Sequence, residues 1–282
     1  MRRLELLLAS ALVFAGPPVS AQEVRKLNLT GVAHVDAHDL LKSISTTASR
    51  CRSFVIEPFC LISKSPTFVD KHYFDQLQFQ RDVLRIRLYY WKRGYRETQV
   101  DTTVTHTPNQ VAVTFAVKEG RPTLIRTLDI QYDSSLITRR TRNRLSLLHE
   151  NDPLDLVVLD SMRLLFQGDL WDMGYGDAVI DTAVRVDTAA YLADIVLKIT
   201  ANRLTTIGKV TITGINRVDD ATVRHALTFK SGDLYRESAI FESQRNLYES
   251  GLFRLAAIDV PPQPDTVKNV SVDVTEAPFH EA

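Results

Sequence analysis

His34 and His38 stand four residues apart, with Asp36 and Asp39 beside them. On one helix face that spacing lets two imidazoles and a carboxylate hold zinc. Gly31 and Val35 instead place His34 in the loop after a strand, so the pair need not share a face and no metal site is expected. Asp172 and Asp177 could be the paired carboxylates of an acid–base centre, but they flank the Gly174/Gly176 turn and read as capping and turn residues. The chain contains no Gly-x-Ser-x-Gly, no phosphate loop and no His-Glu-x-x-His. Trp91 and Trp171 fall near helix ends and read as core anchors. These residues argue against catalysis and against a bound cofactor.

What the residues do carry is repetition. Leu88-Tyr-Tyr-Trp-Lys-Arg-Gly94-Tyr95, Leu170-Trp-Asp-Met-Gly174-Tyr175 and Leu247-Tyr-Glu-Ser-Gly251-Leu252-Phe253 each end a helix on large apolar residues and a Gly. Gly adopts the left-handed conformation that terminates helices without a Cβ penalty. The three lie roughly 80 residues apart, the signature of an array rather than one large core. Upstream, Val24, Leu27, Leu29 and Gly31 match Ile207, Val210, Ile212 and Gly214; Ile125, Leu128 and Ile130 match too, with Tyr132 in place of the Gly.

Each copy closes on strict alternation: Val111 to Val117, Ile195 to Ile199, Val270 to Val274. Period two marks a strand with one buried face. An acidic stop follows in the outer copies, Glu119-Gly120 and Glu276-Ala277, where the middle copy has Ala201-Asn202.

These patterns predict an α+β fold of three tandem β-α-α-β-β modules, each with two helices on a three-stranded sheet. The boundaries expected are 22–120, 121–203 and 204–277, with 278–282 as a tail. In the third module the spacing predicts a strand over Ile207–Thr213 and a helix capped by Asp219 or Asp220. A second helix from about Arg236 should bury Ile240, Phe241, Leu247 and Tyr248.

Met1-Arg2-Arg3, the apolar run Leu4–Phe14 and the small residues Val19-Ser20-Ala21 form a signal peptide, with cleavage expected before Gln22. The run is too short to span a membrane as a helix. Cys51 and Cys60 lie in an insertion over 45–68 of the first module. In an oxidising compartment an even Cys count favours a disulfide, closing a loop of about ten residues. Zinc is the rival, but the spacing is far from a knuckle and no His lies between them.

Lys plus Arg and Asp plus Glu both number 34, which leaves no net basic field for nucleic acid. Basic clusters at Arg81, Arg85, Arg87, Lys92 and Arg93, and at Arg139, Arg140, Arg142 and Arg144, read as solvated helix faces, with anionic lipid as the alternative.

Taken together, the opening Val/Ile-x-x-Leu/Val-x-Leu/Ile-x-Gly, the Tyr-x-x-x-Gly-Tyr or Tyr-x-x-Gly-Leu-Phe helix end and the closing Val-x-Glu-Gly or Val-x-Glu-Ala resemble a POTRA array of the BamA/TamA outer membrane assembly family. The resemblance runs from Val24 to Ala277, and three modules are closer to TamA than to BamA. It implies a non-catalytic, periplasmic role at the cell outer membrane. Such an array would bind unfolded β-barrel clients and guide them to insertion, with periplasmic assembly or inner-membrane proteins as partners. Family members continue into a membrane β-barrel, which this chain does not contain; Pro278 to Ala282 resembles the start of one, and a free periplasmic array is the other reading.

The resemblance further implies that the strand after the second helix of each module lies at the sheet edge, where an extended client can add a strand. Those edges would be Arg96–Val104, Ala178–Val184 and Arg254–Val260, with Arg96, Thr98, Val100, Ala178, Ile180, Arg254, Ala256 and Ile258 as candidate binding residues. Val100, Val179 and Ile258 are expected to face inward. Alternative functions are a two-partner-secretion transporter, a scaffold to an inner-membrane partner, or a passive spacer.

Overall fold

The computed structural model describes residues 22–52, 69–133, 136, 138, 142–143, 146–262 and 264–278. The expected signal peptide over 1–21, most of the Cys-bearing insertion and Arg139, Arg140 and Arg144 lie outside them. The chain divides into two compact units, Met1–Tyr90 with Glu97–Gly120, and Trp91–Arg96 with Arg121–Ala282.

In the first unit the order is β1 (Glu23–Thr30), α1 (Ala37–Lys42), β2 (Arg50–Cys51), β3 (Val69–Asp70), α2 (Gln76–Lys92), β4 (Gln99–His106) and β5 (Gln110–Lys118). The sheet runs β1-β5-β4, with β5 in the middle, parallel to β1 and antiparallel to β4. Asp75 starts α2 by accepting from the Leu77 and Gln78 amides. The helix buries Phe79, Asp82, Ile86 and Tyr90, one stripe at helical spacing, and β5 buries Val111, Val113, Phe115 and Val117. The Phe79 and Phe115 rings lie 5.4 Å apart.

The second unit holds two more sheets of the same design. One is β6 (Leu124–Gln131), β7 (Val179–Asp187) and β8 (Leu192–Thr200), ordered β6-β8-β7, with α3 (Leu156–Asp172) above it. The other is β9 (Thr206–Thr213), β10 (Phe253–Asp259) and β11 (Val267–Glu276), ordered β9-β11-β10, with α4 (Asp220–Ala226) and α5 (Glu237–Glu249).

One oddity of the sequence has a structural cause. The openings Val24/Leu27/Leu29, Ile125/Leu128/Ile130 and Ile207/Val210/Ile212 are spaced three, then two. Register shifts interrupt the pairing at Val24/Lys26, Ile125/Thr127 and Lys268/Val270, so an extra residue sits between the first two inward positions each time.

Four orientations differ from expectation. Val179 faces out and is 45% exposed, because Ala178 and Ile180 take the inward positions of the alternation. Phe241 and Tyr248 are exposed; α5 instead buries Ile240, Ser243 and Leu247. Ser243 belongs inside because its hydroxyl accepts from the Thr228 amide and donates to the Ala239 carbonyl. Trp91 is exposed as well, since neighbouring Tyr90 takes the inward direction, and the Arg96 guanidinium stacks over its ring at 4.7 Å. Trp171 does pack against apolar clusters, those of both second-unit sheets.

Candidate functional site

The residues that shape each sheet act through its two ends. Glu119, just after β5, accepts from the Ala33 and His34 amides, from the His34 ring at 2.5 Å and from the Tyr90 hydroxyl at 2.9 Å. Burial pushes its carboxyl up, but these bonds outweigh that and hold it down at about 2. Glu276 ends β11 in the same way: the Val218, Asn216 and Arg217 amides and the Arg217 guanidinium bring it to about 2. The acidic stop therefore ties the central strand to the loop leaving the first strand. His34 is thereby engaged with Glu119 while His38 sits in α1; among the described residues no cluster of His, Cys, Asp and Glu could hold a metal ion.

The middle module lacks that acid. Asn202, two residues past β8, takes a positive φ of 60°, as Gly120 does at 77°, and its amide donates to the Asp177 carbonyl.

Asp177 lies in the turn before β7, as its sequence context reads, but the carboxylates of Asp172 and Asp177 bond beyond their own segment. Asp172 accepts from the Ser238 amide at 2.8 Å. Asp177 pairs with the Lys268 ammonium at 2.6 Å and accepts from the Asp265 amide at 2.9 Å. Both tie the β6-β8-β7 module to the one that follows. A methyl on Gly174 would lie 2.6 Å from Leu234, so the helix-ending glycine also permits that close approach. Tyr235 is buried in the same region; desolvation, with the charges of Glu237, Asp172 and Asp177, pushes its hydroxyl up to about 12.

The strand after the longer helix lies at an edge in all three sheets. The residues singled out along those edges divide between core and backbone roles. Val100, Ile180, Ala256 and Ile258 stand opposite Val117, Ile199, Val274 and Val272, and their side chains are buried or half-buried. Arg96 and Thr98 precede β4, and the buried Thr98 hydroxyl donates to the Glu119 carbonyl at 2.9 Å. Ala178, buried, precedes β7; Arg254 is exposed at the irregularity that opens β10. The outward positions of these strands carry exposed residues such as Asp101, Asp181 and Leu255.

Two further residues belong to the edges. Gln167 of α3 donates its side-chain amide to the Ala178 carbonyl at 3.0 Å, and Gln244 of α5 does the same to the Ala256 carbonyl at 3.0 Å. Each stands seven residues before its helix-ending glycine, Gly174 or Gly251. That shared spacing was the signal available in the sequence.

The family model POTRA, surface antigen variable number repeat, matches residues 22–120 and 205–277, the first and third of these three sheets of like strand order and the two tied by a terminal Glu. The chain belongs to the POTRA family. The stretch between the matches holds a sheet of the same strand order. POTRA3-5 of Haemophilus influenzae BamA is 22% identical with a TM-score of 0.55, over 90% of this chain and 96% of that one, a likeness of fold. The N-terminal domain of Omp85 from Thermosynechococcus elongatus matches at 16% identity and a TM-score of 0.32, over 91% and 97% of the two chains. CdiB from Acinetobacter baumannii matches at 16% and 0.26, over 65% and 30%.

Proposed function

We propose that this POTRA array is the periplasmic part of an outer membrane protein assembly factor, and that it captures unfolded β-barrel segments by strand addition. The supporting observation is that β4, β7 and β10 each pair on one side only within their sheets. An extended client supplies backbone N–H and C=O groups to such an edge regardless of its side chains, so one surface serves many sequences. Charged residues along the edges, Asp101, Asp181, Arg185 and Asp187, oppose pairing of one array with another and leave capture to a client able to meet them. Export through the signal peptide, delivery to a membrane barrel and contacts with periplasmic or inner-membrane partners belong to the same reading.

Proline substitution tests it. Successive residues of an antiparallel strand point their N–H groups in opposite directions. Of Ala256→Pro and Ala257→Pro, one removes a ladder donor and unfolds the module, and the other removes an edge donor. The folded variant, identified by circular dichroism, should bind an unfolded barrel peptide more weakly than the parent. Equal affinity in that variant would oppose strand addition at β10.

A further inference from the structure

We infer that Gln167 and Gln244 are gates on the edge strands: each occupies with its own amide a backbone carbonyl on or just before a client-binding edge, and must release it for a strand to add there. The inference rests on the strand-addition reading and specifies how two of the three edges are regulated. The two bonds are equivalent by position. Both glutamines precede their helix-ending glycine by seven residues, and the carbonyls follow it by four and five, at Ala178 and Ala256. The one-residue offset falls where β10 has its register shift, between Phe253 and Leu255. At β7 the carbonyl belongs to a residue just outside the ladder, whose first pair is Val179 with Thr200. At β10 it belongs to a residue on the edge strand itself.

A donor from the helix layer at this place competes with an N–H that an incoming strand would offer. The glutamines are half-buried rather than sealed, so the amide can swing away. The Arg163 guanidinium, itself paired with Asp160, reaches the Gln167 carbonyl oxygen at 3.4 Å and steadies that gate. In the first module the residue seven before Gly94 is Arg87, exposed to solvent, and the corresponding Thr98 uses its hydroxyl on Glu119.

Gln244→Met keeps the length and packing of the side chain and removes the donor. A fluorescein-labelled peptide of alternating Val and Thr, titrated against residues 22–282 and followed by anisotropy, should bind the variant about fivefold more tightly at β10, the scale of one net hydrogen bond. A photo-crosslinker at exposed Leu255 reports whether that edge is occupied, and Gln167→Met is the independent second variant. Raised crosslinking at Leu255 in Gln244→Met, including the case where the parent shows none, supports the gate. Crosslinking in the parent with unchanged affinity in both Met variants overturns the gate and leaves strand addition standing. No crosslinking in parent or Gln244→Met, with no affinity gain in Gln167→Met, overturns both.

Discussion

Lys268 sets its ammonium 2.6 Å from a carboxylate oxygen of Asp177, with the two side chains only 5% and 13% exposed. The pair joins the turn before β7 to β11, and so fastens one module of the second unit to the next. Removing one partner of a buried pair strands the other charge, at a cost of about 3–5 kcal/mol. Asp177→Ala should therefore destabilise the unit strongly, while Asp177→Ala with Lys268→Met should recover much of the loss. Urea unfolding of the two variants checks this; equal losses would mean the pair is not coupled.

This junction was illegible in the sequence. Asp177 beside Gly176 has the composition of a turn, and nothing local points to a lysine some 90 residues later. The module design was legible because backbone geometry enforces it: period-two closings, the three-then-two openings and the helix-ending glycines each follow from a local constraint. Orientation failed where a polar group or a small residue took the inward place. Ser243 displaced Phe241 because the Thr228 amide needs an acceptor, and Ala178 set the alternation that turned Val179 outward. The edge strands were found, but their gates were not, since a lone Gln per helix carries no apolar signal.

Glu119 makes the first unit sensitive to acid. Its folded pKa of about 2 lies below the usual 4.5, so its contribution is present above pH 4.5 and is lost as pH falls toward 2. Glu119→Gln should lower stability at pH 7 by about 1–3 kcal/mol, the worth of hydrogen bonds to a charged group. It should also flatten the stability profile of that unit between pH 4.5 and 2. Calorimetry at pH 7 and pH 3 measures both; an unchanged slope in the variant would contradict the assignment.

Gly214 and Gly251 both have positive φ, 82° and 70°, yet substitution should treat them differently. A Cβ on Gly214 would overlap the Val274 carbonyl oxygen, a backbone atom that cannot step aside, whereas one on Gly251 meets nothing within 4 Å. Gly251→Ala should cost about 1–2 kcal/mol, the left-handed penalty alone. Gly214→Ala should cost clearly more and disrupt the β9–β11 pairing. Thermal unfolding of the two variants should separate them by several degrees.

Cys51 ends β2, and Cys60 lies outside the described residues. We propose that the two pair on export, stabilising the first module by about 2–3 kcal/mol. Mass spectrometry after alkylation of periplasmic material should find no free thiol; two alkylated cysteines would refute the pairing.

Amide hydrogen exchange over residues 22–282, with and without an unfolded barrel-strand peptide, tests strand addition most directly. The account predicts new protection concentrated in β4, β7 and β10. Protection confined to β1, β6 and β9, or a peptide that binds without protecting any edge strand, would contradict it.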